Sequence, residues 1–95
     1  MSRLFLSALL ALTLSATWAE AACYADYKAK RDNPLRLHYG VIQLPEAACS
    51  KQAAAGVIAR RIGADGWQLL TVVSVFDDSG LQQRKASAGQ FFLRY

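Results

Sequence analysis

One histidine, His38, and two cysteines, Cys23 and Cys49, are all that 95 residues offer as soft metal ligands. A closed zinc site takes four such ligands, so this set falls short of one. A Gly-rich phosphate loop, a Ser-centred nucleophile elbow and a paired-histidine motif are all missing. Nothing in the pattern therefore argues for an enzyme, and no cofactor or metal is called for. Internal repeats, linkers and low-complexity tracts are also lacking. The longest uncharged apolar run, residues 4–19, spans about 16 residues and includes Ser7, Thr13, Ser15 and Thr17. A membrane-spanning helix needs about 20 predominantly apolar residues, so this run is too short to anchor the chain.

What stands in that place is a different signal. Arg3 gives a positive start, residues 4–14 an apolar stretch, and Ala19-Glu20-Ala21 an Ala-x-Ala cleavage site. That is the layout of a secretory signal peptide. The expectation is a signal peptide at 1–21 and a single small domain at 22–95, exported to a bacterial periplasm or the extracellular space, with no membrane span after cleavage. Lipid attachment at Cys23 is disfavoured, because Glu20 stands where an aliphatic residue is normally required. Both cysteines fall in the exported part, where an oxidising compartment favours a bridge. A Cys23–Cys49 disulfide would close a loop of about 27 residues, worth on the order of 3.5 kcal/mol in the chain-entropy model. A domain this small struggles to offset its conformational entropy with one core, so a staple or a partner subunit is expected.

The net charge is +4, and losing Arg3 and Glu20 together leaves it unchanged. Small basic knots occur at Lys28-Ala29-Lys30-Arg31, Arg60-Arg61 and Arg84-Lys85. A basic surface favours anionic partners, but an exported location argues against nucleic acid.

Along the chain, residues 24–30 alternate, with Ala25, Tyr27 and Ala29 on one side and Tyr24, Asp26, Lys28 and Lys30 on the other. Arg31-Asp32-Asn33-Pro34 is a turn signal, and 35–44 reads as a second strand, with Gly40 marking a bulge or a close backbone approach. Pro45-Glu46 opens a helix to about Ile62, in which Ala54, Val57, Ile58 and Ile62 share one stripe. Gly56 suggests closely packed backbone there, and Gly63 is placed as a left-handed helix stop. Residues 67–76 form the strongest strand, apolar on both sides, so a second copy of the chain is expected to cover one of them. A turn follows at 77–80, then the ambiguous polar segment 81–89, then a closing strand at 91–95. The fold class expected is α+β, one helix packed on a small antiparallel sheet in the order ββαββ.

Tyr24-Ala25-Asp26-Tyr27-Lys28, the helix end Ile62-Gly63-Ala64-Asp65-Gly66, Trp67-Gln68-Leu69-Leu70 and the terminal Phe91-Phe92-Leu93-Arg94 together resemble a small bacterial family of uncharacterised domains. Its members carry an aromatic-x-Tyr-Lys strand, a helix, a Gly-Trp-Glu-Leu turn and strand, and a closing aromatic-Lys/Arg strand. Gln68 replaces the usual Glu, and many relatives lack the cysteines. The resemblance implies a helix on a small antiparallel sheet and carries over no catalytic residue.

The candidate chemistry is thin. Trp67, directly after Gly66, reads as a plug closing the helix-to-strand turn. Arg36, His38, Arg60 and Arg61 are the candidate ligand-binding residues, because an arginine can clamp a phosphate or carboxylate and a histidine titrates near neutral pH. Three functions follow as expectations. A protein-interaction or assembly module, self-associating as a homodimer or meeting a protein or envelope component, predicts an exposed apolar patch on the sheet. A binder of a small anionic or glycan ligand predicts a pocket gathering Arg36, His38, Arg60 or Arg61. An inhibitor of a secreted hydrolase predicts a protruding loop at 81–89.

Overall fold

The computed structural model describes residues 22–95; the expected signal peptide, residues 1–21, lies outside the described residues. Strands β1 (Cys23–Arg31) and β2 (Arg36–Leu44) form an antiparallel hairpin. A 3-10 turn (Glu46–Ala48) leads to helix α1 (Lys51–Gly63) and strand β3 (Gln68–Asp77). A second 3-10 turn (Asp78–Gly80), helix α2 (Gln82–Ala88) and a third 3-10 turn (Gly89–Phe91) complete the chain. The sheet order is β2-β1-β3, and both outer strands run antiparallel to β1.

The architecture is α+β with an antiparallel sheet, but among the described residues the order is ββαβα, with two helices where one was expected. The segment Gln82-Gln83-Arg84-Lys85-Ala86-Ser87-Ala88 has no β-branched or aromatic residue and consists mostly of good helix formers, which explains its helix. The expected closing strand is replaced by the third 3-10 turn and one parallel bridge between Phe92 and Val41. Gly89 at φ 55° and Leu93 at φ 57° turn the backbone on either side of Phe91-Phe92, so no extended run forms. The Leu93 N–H donates to the Val41 carbonyl at 2.8 Å, which holds this segment on the outer edge of β2.

The main core lies between α1 and one face of the sheet. Strand alternation sends Ala25, Tyr27 and Ala29 of β1 and Ile42 and Leu44 of β2 to that face. There they meet Ala54, Ile58 and Ile62 of α1. Val57 packs at the margin, as do Leu69, Val72 and Val75 of β3. Gly40 lies opposite Tyr27, and a Cβ at Gly40 would come within 2.5 Å of the Tyr27 hydroxyl. The close approach expected at this glycine is therefore made by the Tyr27 ring.

Three local expectations are corrected. Helix α1 starts at Lys51 rather than at Pro45-Glu46, because Cys49 is tied to Cys23 and extended Ser50 caps the helix, accepting from the Ala53 N–H at 3.2 Å. Gly56 meets no other backbone. Gly63 is the last helical residue, and the positive φ falls at Gly66 (82°), one turn later. Without a Cβ, Gly66 adopts this conformation freely. The Trp67 N–H then returns to the Ile62 carbonyl at 3.2 Å, and Trp67 enters the core. The Cys23–Cys49 disulfide joins the start of β1 to the start of α1. It is compatible with an oxidising, exported location. Among the described residues no helix is long and apolar enough to cross a membrane.

Candidate functional site

The face of the sheet away from α1 is divided. Helix α2 covers the half nearest Tyr24 and Val41, and a buried polar cluster locks it down. Ser74 Oγ donates to Asp26 Oδ1 at 2.6 Å, Tyr39 Oη to Oδ2 at 2.7 Å and Arg84 Nε to Oδ2 at 3.0 Å. Arg84 also donates to the Gly80 carbonyl at 2.7 Å and lies 3.9 Å over the Phe76 ring. Burial alone would raise the Asp26 pKa, but the hydrogen bonds from Ser74, Tyr39 and Arg84 and the Arg84 charge outweigh it, and the net shift is downward. The Tyr39 phenol is pushed up to about 12, by burial and by its hydrogen bond to Asp26. One residue from each outer strand and one from α2 thus converge on a single carboxylate of β1. Sequence reasoning placed Asp26 on a polar strand face and Arg84 in a basic knot. Nothing in a separation of 58 residues foretold the pair.

Among the described residues nothing covers the other half of this face. Leu37 (67 % exposed) and Leu70 (51 %) stand there, with Leu35 in the adjoining turn also exposed. The β3 register slips at two points against β1, leaving Val73 and Leu70 as the extra residues. Such bulges re-aim side chains, and both residues are exposed apolar groups. An apolar concavity of about 290 Å³ is lined here by Lys28, Ala29, Leu37, His38, Tyr39 and Leu70. Among the described residues Lys28 has no carboxylate partner, whereas Lys30 pairs with Asp32 at 3.5 Å. Burying a leucine side chain fully is worth about 1.5–3 kcal/mol, and Leu37 and Leu70 leave much of that surface in contact with solvent.

The four candidate ligand residues do not gather. His38 is buried on the α1 face, its Nε2 3.0 Å from the Tyr27 hydroxyl. Phe91 stacks on its ring at 3.7 Å and the Trp67 edge meets it at 4.2 Å. Among the described residues its Nδ1 has no partner. Burial, and then the charges of Arg31 and Arg94, lower its pKa to about 4, so the imidazole is neutral at physiological pH and its nearest polar side chain is a phenol rather than a carboxylate. Arg61 lines a separate cavity of about 370 Å³, its guanidinium committed to the Gln43 carbonyl at 2.8 Å. Arg60 is exposed on α1, and Arg36 is exposed at the start of β2. Segment 81–89 is largely a helix packed on the sheet, not a protruding loop.

Fold and surface together define an α+β domain with a three-stranded antiparallel sheet, a helix on each face and a disulfide at its base. Comparison with protein-family profiles, curated proteins and solved structures returns no match. The likeness to the small bacterial family accordingly rests on the quoted residues alone.

Proposed function

We propose that this is an exported protein-interaction module that uses the open half of its sheet. The observation that carries this reading is the uncovered apolar concavity between Leu37 and Leu70, with the unpaired Lys28 beside it. Its charge selects the occupant. Lys28 would be brought close to its own copy in a two-fold face-to-face dimer, which is unfavourable. A protein segment presenting an apolar side chain next to a carboxylate satisfies both the leucines and the lysine. The test is an amide-resonance titration with a peptide of alternating Leu and Glu, run beside its Leu–Lys counterpart. Shifts confined to Lys28, Leu37, Tyr39 and Leu70, with the Glu peptide alone, support the reading. No shifts, or equal shifts with both peptides, oppose it.

A homodimer built on β3 is the second reading. It is favoured by the outer edge of β3, which nothing among the described residues pairs, and by the absence of charge from Gln68 to Phe76. Such edges pair readily with further strands. Sedimentation at micromolar concentration separates the two: a dimer lost on Thr71→Pro favours the edge, and a monomer removes it. Export itself is checked by the mass of the protein from its source cell, which fixes the first residue of the mature chain.

A further inference from the structure

A second concavity, of about 190 Å³, is lined by Arg31, Asp65, Trp67, Gln90, Phe91, Arg94 and Tyr95. It lies between the turn that follows α1 and the C-terminal segment, and no sequence motif pointed to it. Arg31 is held in place: its Nη1 donates to the Asp65 carbonyl at 3.3 Å and its guanidinium lies 4.3 Å over the Trp67 ring. Arg94 stands 5.8 Å from the centres of both the Phe91 and Tyr95 rings. Among the described residues neither guanidinium is paired with a carboxylate. The one carboxylate in the wall, Asp65, is instead engaged by the Tyr95 hydroxyl at 2.6 Å.

We propose that this cleft binds a small aromatic monocarboxylate, its carboxylate between Arg31 and Arg94 and its ring against the aromatic wall. The charge count sets the class. Among the lining side chains, one held guanidinium, one exposed guanidinium and one carboxylate leave a single positive charge, which matches a monoanion and disfavours a doubly charged phosphate so close to Asp65. Guanidinium forks recognise carboxylates with paired N–H donors, and Arg31, pre-ordered by Trp67 and the Asp65 carbonyl, loses little freedom on binding. Phe91 and Tyr95 supply ring edges and faces for an aryl group. Both arginines also act on the buried His38, so an anion placed between them relieves the field at that ring.

The experiment is a titration with benzoate, with benzamide as the neutral isostere and inorganic phosphate as the competing anion. It is read by the Trp67 indole N–H and the Arg31 and Arg94 Nε–H resonances. Benzoate is expected to give saturable shifts at millimolar concentration, benzamide none, and phosphate weaker ones. Arg94→Gln and Arg31→Lys are each expected to weaken benzoate about tenfold or more. Arg60→Gln, on the exposed side of α1, should leave it unchanged. Arg94 is exposed, so its variant keeps the fold and remains decisive if Arg31→Lys loosens the turn. No saturable shift, undiminished affinity in Arg94→Gln, or an equal loss in Arg60→Gln overturns the site. Phosphate binding as tightly as benzoate overturns the assignment of the class.

Discussion

On the α1 face of the sheet, His38 is buried as a neutral ring with one nitrogen bonded and the other unpartnered. On the α2 face, Asp26 is buried as a charge with three side-chain donors on its two oxygens. The two residues sit on neighbouring strands of one sheet, within a single hairpin. What separates them is the supply of partners. A charge can stay buried where donors outweigh the loss of water, and Asp26 has hydroxyls from β2 and β3 and a guanidinium from α2. Around His38 the neighbours are rings and two cations, so the proton is the cheaper thing to lose. The α1 face is therefore held by packing and the α2 face by a polar latch.

The sharpest way to break this contrast is to remove the latch. Arg84→Ala leaves Asp26 buried without its cation, and breaking a buried pair typically costs about 3–5 kcal/mol. Hydrogen exchange should show α2 amides losing protection well before those of α1, and uniform loss across both helices would contradict a face-specific latch. Packing on the opposite face is tested by Gly40→Ala. Its new Cβ would come within 2.5 Å of the Tyr27 hydroxyl, and overpacking of this kind costs about 1–3 kcal/mol. Thermal unfolding should register that loss while the Asp26 cluster stays intact.

Acid distinguishes the faces without mutation. The folded pKa of His38 lies near 4, below its ordinary 6.5, so the unfolded chain takes up the proton first. Stability is unaffected by this residue above about pH 6.5 and falls as pH drops from there toward 4, by on the order of 3 kcal/mol. Asp26, whose folded pKa is lowered, contributes stability above the ordinary carboxylate range and loses it only at lower pH still. His38→Phe should therefore flatten the upper part of the acid-stability curve and leave the lower part in place. A curve unchanged by the substitution would mean that His38 keeps its proton in the fold. The smallest expected effect is that of Leu37→Ser on the open half. Its side chain is mostly exposed, so stability should move by less than about 0.5 kcal/mol while the response to the Leu–Glu peptide disappears.

Much of the frame is legible in local pattern. The period-2 alternation of 24–30 and the stripe Ala54, Val57, Ile58, Ile62 put the right residues in the core, because side-chain direction follows directly from strand and helix geometry. Gly40 was readable as a close approach, though not which ring approaches. The C-terminal fifth was not legible: Phe91-Phe92-Leu93 has strand-like composition, yet positive φ values at Gly89 and Leu93 and the stacking of Phe91 on His38 decide its path. The candidate site was half legible. An apolar patch on the sheet was expected, but the β3 bulges that push Leu70 and Val73 outward depend on register against β1, which no single strand encodes.

By itself the sequence determined the hairpin, the helix stripe, the apolar third strand and the cysteine pair, since each depends on spacing within one segment or on composition. The tertiary structure alone decided that the helix at 82–88 is laid on the far face of the sheet. It also decided that Asp26 meets Arg84, that burial and the Arg31 and Arg94 charges lower the His38 pKa, and that Arg31 and Arg94 share a cleft. Those outcomes depend on which partners reach a buried group across long separations, and desolvation and charge are settled only once the chain has brought them together.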